Sequence, residues 1–226
     1  MKNKLLLGLI VVLLNCSSPQ SFSYTPTDHP EPKVKLEKRI GILPFKDLRP
    51  EKDEYKVQIP YYFLPLVLWQ TLEDERSRKY DINYKFSFDN DLANALRTEL
   101  ESNKFFSEVF LTKQAKPDDY DFKIEVEILS TKEKTIVISY GLGVFRISID
   151  WLPIPVAKRK NNITLNLKLI ETKSNQVLFS KKYQGIKERY LSRYGYLSDK
   201  FQNEIEIVKR MFPEIANDIV NAITKK

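Results

Sequence analysis

One cysteine and one histidine bound the chemistry open to this 226-residue chain. Cys16 follows Leu5–Leu14, a run broken only by Gly8 among aliphatic residues, and His29 sits between Asp28 and Pro30 in a Ser/Thr/Pro-rich stretch. A thiol can serve as nucleophile or metal ligand, and an imidazole as base or ligand, only beside suitable partners. In such a setting His29 reads as a linker residue. The carboxylate groups Asp118-Asp119 and Glu73-Asp74-Glu75 could in principle do acid–base work, but they read better as solvated loop charges. Gly141-Leu142-Gly143 lacks the third glycine and the following helix of a phosphate-cradling loop. These residues support no catalytic constellation, and no metal or cofactor is expected.

The surroundings of Cys16 point elsewhere. Met1-Lys2-Asn3-Lys4 followed by about ten apolar residues fits a secretion signal and falls short of the roughly twenty that a membrane helix needs. A lone cysteine in an exported protein would be an oxidisable thiol unless its sulfur is used. Leu13-Leu14-Asn15-Cys16 resembles the lipobox of bacterial lipoproteins, in a relaxed form with Asn15 where a smaller residue is usual. The resemblance implies cleavage before Cys16 and acylation of its sulfur. With that thiol committed to lipid, neither a Cys/His pair nor a thiolate metal site can be built. The expected organisation is a signal peptide over 1–15, a lipidated Cys16 with a flexible tether over 16–33, and one domain over 34–226. The tether carries Pro19, Pro26, Pro30 and Pro32, and would reach about 50–60 Å if extended.

The whole chain has 37 basic and 30 acidic side chains, a net charge of +7. Loss of residues 1–15 removes Lys2 and Lys4, leaving a mild excess suited to anionic surroundings but demanding none. The densest basic run, Lys158-Arg159-Lys160, falls short of a nucleic-acid arm, so no nucleic-acid partner is expected.

Along the domain, Arg39-Ile40-Gly41-Ile42-Leu43-Pro44-Phe45 predicts a buried strand, after which the pattern dissolves from about 50 to 85. Pro60 and Pro65 exclude a long helix or central strand over 59–69. Asp89 would cap a helix carrying Leu92, Ala93, Leu96 and Leu100 and ending near Asn103. A strand over 105–111 and a turn at Pro117 follow. Phe122, Ile124, Val126 and Ile128 alternate with polar residues, as do Ile163, Leu165, Leu167 and Leu169. Thr172–Asn175 turns the latter into Val177–Ser180, with a loop holding Tyr190, Tyr194 and Tyr196 before a C-terminal helix bent or restarted at Pro213. The expected fold is α+β: a single mixed or antiparallel sheet with helices packed on one face. The expected core holds Ile40, Ile42, Leu96, Leu100, Ile124, Val126, Leu165, Leu167 and Ile215.

That order of elements resembles the lipoproteins of the curli-secretion-channel and penicillin-binding-protein-activator type, whose fold is anticodon-binding-domain-like. Two aromatic, proline-punctuated insertions, at about 50–85 and 131–160, depart from it and suggest a separate branch. They carry Tyr61, Tyr62, Phe63, Trp69, Tyr140, Phe145 and Trp151. Two readings stand side by side: the aromatics complete the core, or they form one exposed lip for a partner or the lipid interface, flanked by Lys158–Lys160. A third makes 135–151 a transmembrane β-hairpin, with Ile147, Ile149 and Trp151 alternating against Arg146, Ser148 and Asp150. The leading functional expectation is a non-catalytic lipoprotein, anchored in the outer membrane through its lipid and binding another envelope protein. The alternatives are a subunit of an oligomeric secretion pore and a carboxylate-dependent hydrolase of cell wall or lipid. No motif specifies an oligomeric state.

Overall fold

In the computed structural model, the described residues are 22–27, 35–50, 64–75, 87–112, 119–149, 152–192 and 202–225. Cys16, His29, Tyr61, Tyr62, Phe63, Trp151, Pro117, Tyr194 and Tyr196 lie outside them. One mixed sheet organises the rest. Its strands are β1 (Leu36–Ile42), β2 (Lys46–Asp47), β3 (Trp69–Glu75), β4 (Phe106–Leu111), β5 (Phe122–Ile138), β6 (Ala157–Glu171) and β7 (Gln176–Leu191). The helices are α1 (Phe88–Ser102), a four-residue turn α2 (Arg146–Ile149) and α3 (Gln202–Thr224).

The sheet runs in the order β4-β1-β5-β6-β7 and is built around β5. One side of β5 pairs with β6 along its whole length, antiparallel. The other side is lined in succession by β1 and β2, both parallel, and then by antiparallel β3. At about 3.3 Å per residue β5 is roughly 50 Å long. The period-two pattern explains the buried face: Phe122, Ile124, Val126 and Ile128 on β5 and Ile163, Leu165, Leu167 and Leu169 on β6 are all buried. α1 and α3 close over that face with Leu92, Leu96, Leu100, Val208, Phe212, Ile215 and Ile219. The opposite face carries Lys123, Glu125, Glu127 and Lys168, joined in ion pairs. Among the described residues the helices lie on one face and charged side chains on the other, which is the expected α+β arrangement, and the nine core residues expected from sequence are all buried.

Six details differ from the sequence expectations. Residue 87, not Asp89, holds the N-cap position of α1; the Asp91 carboxylate accepts the Ser87 backbone N–H at 2.8 Å, and Asp89 lies in the first turn beside the positive end of the helix dipole. Glu73 belongs to β3 and not to a loop, and it pairs with Lys134 at 2.7 Å. Residues 131–138 and 157–160 are strand, so the second insertion shrinks to the connection between Ile138 and Ala157. Tyr190 sits in β7 opposite Lys158, because β7 continues eleven residues past Ser180. α3 passes through Pro213 as one helix. The tether is also shortened: Phe22 and Tyr24 pack against the core cluster.

α3 lies so close on β7 that a side chain at residue 185 has no room. A Cβ on Gly185 would stand 2.2 Å from Ile207 Cγ2. A β-branched residue in a helix cannot swing that methyl away, so the helix itself must lift. Gly185→Ala is expected to cost about 1–3 kcal/mol, read as a lower urea midpoint. Adding Ile207→Ala should bring the two losses below their sum, whereas strict additivity would show that the contact is not the cause.

Where the apolar core ends, a polar belt replaces it. Asn161 donates through Nδ2 to Glu204 Oε1 at 2.9 Å and accepts from Asn203 Nδ2 at 2.7 Å, with all three side chains buried. Arg159 Nε lies 3.0 Å from Glu133 Oε1, to which Thr135 also donates at 3.2 Å. The hydrogen bonds among Asn161, Asn203 and Glu204 and the ion pair of Arg159 with Glu133 offset part of the desolvation that burial imposes. The belt fixes the start of α3 to the sheet, and beyond it β3, β5, β6 and β7 continue.

Candidate functional site

The far end of those strands turns the two aromatic segments toward each other. Trp69 of β3 pairs with Ile138 of β5, and the ladder then continues as irregular backbone. Ser139 N–H donates to Leu68 O at 2.9 Å, its hydroxyl donates to Val67 O, and Leu66 N–H donates to Gly141 O at 2.9 Å. Pro65 and Leu142 form an isolated antiparallel bridge. The turn needs left-handed backbone at Leu66 (φ 70), Tyr140 (φ 56) and Gly141 (φ 75), of which only glycine takes it without steric cost. Leu142 N–H bonds Ser139 O and Phe145 N–H bonds Leu142 O, closing a helical turn that runs into α2. Tyr140 donates its hydroxyl to Pro155 O at 2.7 Å, and Val156 ties this return segment to both Ile138 and Leu191.

Hydrogen bonding thus satisfies much of the backbone here, while the side chains project. Leu66 is 87% exposed, Phe145 74%, Trp69 62% and Val144 59%. Leu64, Leu68, Tyr140, Leu142 and Leu152 are exposed as well. Nine of the thirteen large hydrophobic side chains exposed among the described residues belong to this one end of the sheet. Scattered apolar residues on a surface need no explanation, but a cluster of this kind does. Of the seven aromatics singled out in the sequence, Trp69, Tyr140 and Phe145 are brought together here and none of the three is in the core. The aliphatic members belong to the same Leu64–Leu68 and Leu142–Val144 stretches, whose residue types alone do not separate display from burial.

The basic run beside the lip is split between the two faces of the sheet. Lys158 and Lys160 both bridge Glu188, at 2.6 and 3.2 Å, while alternation turns Arg159 to the other face against Glu133. Hydrogen bonds from Lys158 and Lys160 hold the Glu188 carboxyl below its usual range. The two lysines thus share one carboxylate, which offsets part of their charge, and the third cation of the run faces away from them. The hairpin reading of 135–151 also fails over its second arm, because residues 143–149 are helical turns. Among the described residues, no helix is long and apolar enough to cross a membrane, and no group of three His, Cys, Asp or Glu side chains is placed to hold a metal.

No protein-family model matches the chain, and no curated protein matches it in sequence. Solved structures do. A DUF330-family protein from Xanthomonas campestris superposes with a TM-score of 0.51 at 9% identity, covering 90% of this chain and 96% of that one. A hypothetical protein from Chlamydia trachomatis gives 0.46 at 12% identity, covering 84% and 100%. A protein from Caulobacter crescentus described as a candidate lipoprotein gives 0.37 at 7%, covering 60% and 85%. At 9% identity the first likeness is one of fold, and it spans nearly the whole of both chains.

Proposed function

We propose that this protein is a non-catalytic envelope lipoprotein, held in the outer membrane by acylated Cys16, whose α+β domain binds another envelope protein through the apolar lip. The observation that carries the reading is the lip itself: nine large apolar side chains exposed together on a hydrogen-bonded backbone platform. Rings and branched aliphatics held on ordered backbone give contact area at low entropic cost. The lipobox-like Leu13–Cys16 supports the anchor, and the sharing of Glu188 by Lys158 and Lys160 lowers the positive charge that an anionic lipid surface would attract. A photo-crosslinking residue in place of Ser148, exposed beside the lip, used in intact cells, tests the proposal. A discrete crosslinked protein band supports it; crosslinks to lipid alone would assign the lip to the bilayer instead.

A further inference from the structure

A six-residue stretch at the N-terminal side of the domain changes what an anchor at Cys16 would do. Tyr24 donates its hydroxyl to Glu99 Oε2 at 2.7 Å, and the Thr27 backbone N–H donates to the same oxygen at 3.1 Å. The Glu99 side chain is fully buried beneath this contact. The Tyr24 ring lies 5.9 Å from that of Phe212, so the stretch crosses from α1 to α3. Burial, reinforced by the hydrogen bond to Glu99, pushes the Tyr24 phenol well up, so it stays a donor at any physiological pH. Residues 22–27 are thus a strap laid over the helix layer.

The strap and the lip lie at opposite ends of the molecule. The start of α1 is level with Thr131, because the Arg49 guanidinium donates to Thr131 Oγ1 at 3.1 Å and stacks over Phe88 at 4.2 Å. From there α1 runs away from the lip, toward the Asn103 turn and the start of β4 beside Leu36. Glu99 is eleven helical residues along that path, about 16 Å at 1.5 Å per residue. In the other direction β5 advances seven residues to Ile138, about 23 Å. Laid end to end, these two lengths separate strap and lip by up to about 40 Å along the domain. Only six Cα steps separate Cys16 from Phe22, a reach of at most about 20 Å.

We infer that the strap makes the anchor a mount: it holds the Glu99 end of the domain next to the bilayer and directs the lip away from it. The inference rests on the acylation of Cys16 proposed above. It identifies the lip's occupant as an apolar protein surface standing off the anchoring membrane, since the end of the domain nearest the lipid is the end farthest from the lip.

The test uses the full acylated chain in phosphatidylethanolamine/phosphatidylglycerol vesicles carrying acceptor-labelled headgroups. A donor dye is placed on Thr98→Cys, near the strap, or on Ser148→Cys, beside the lip. Energy transfer to the headgroups should be several-fold stronger from residue 98 than from residue 148. Replacing Phe22 and Tyr24 by Ala should collapse that difference, in a domain shown by circular dichroism to remain folded. Equal transfer from both positions with the strap intact would overturn the inference, as would quenching of the 148 dye by acyl-chain quenchers, which would place the lip in the bilayer. Self-quenching at 148 that grows with protein density would put a second copy on the lip and overturn it too. Failure of the chain to float with vesicles would instead overturn the acylation on which it rests.

Discussion

Cys16→Ala is expected to abolish fatty-acid incorporation and leave an unprocessed precursor that still carries residues 1–15. The expectation follows from the sole cysteine of the chain lying two residues after Leu14, at the end of a charged-then-apolar leader. A single acyl chain gives only marginal membrane binding, while each buried methylene adds about 0.8 kcal/mol, so the several chains of a lipoprotein cysteine hold nearly permanently. The effect is therefore close to all-or-none and independent of how well the domain folds. Metabolic labelling with a fatty-acid analogue, read beside the size of the product, checks it. Unchanged label in Cys16→Ala would remove the anchor. Cleavage without label would mean an exported protein released from the membrane. Flotation of the wild-type chain on outer-membrane density would place it in the bilayer proposed for it.

The sequence reading and the structure agree where one face of an element is buried and one is wet. Phe122–Ile128 and Ile163–Leu169 alternate cleanly because α1 and α3 cover one side of the sheet and charged side chains line the other, and the Leu92/Leu96/Leu100 stripe of α1 reflects the same core. They part company beyond the helix layer. β5 carries an irregularity between Ile128 and Ser130, which shifts the alternation by one residue. The inward face then reads Thr131, Glu133, Thr135 and Val137, more polar than the pattern that found the first half of the strand. β3 begins at Trp69, immediately past the prolines that spoil the preceding stretch, and its acidic end looks like a loop until Lys134 is seen opposite Glu73. The second half of β7 is an edge strand studded with charge, as edges must be to avoid pairing with other chains, and so lacks an apolar signature.

The lip was half legible. Residue types marked both segments as apolar, but burial and display have the same composition. What separates them is the register Trp69↔Ile138 and the hydrogen bonds from Ser139 and Leu66, which are non-local and leave no trace in either segment alone. The strap was not legible at all. Ser17–Thr27 has the composition of a linker, and only the placement of Glu99 under Tyr24 and Thr27 shows that part of it is docked. A buried carboxylate on an otherwise apolar helix stripe was the available clue, since such a group requires donors from somewhere.

Display and burial can be told apart by what truncation does. Changing Leu66, Trp69 and Phe145 singly to Ala removes side chains that are already 62–87% exposed, so little apolar area returns to water on unfolding. A buried Trp or Phe cut to Ala costs about 3–5 kcal/mol, whereas surface changes usually stay within about 0.5 kcal/mol. Each variant is thus expected to unfold within about 0.5 kcal/mol of wild type. Binding should respond in the opposite way. Residues that anchor a partner commonly cost 2 kcal/mol or more when truncated, which is about thirtyfold in affinity. Crosslinking yield in intact cells should therefore drop steeply for Trp69→Ala and Phe145→Ala while thermal midpoints barely move. The combination distinguishes the readings because core packing ties the two measurements together and a docking surface separates them. Loss of several kcal/mol in stability with crosslinking intact would make the lip a packed part of the domain and leave the partner to be sought on another surface.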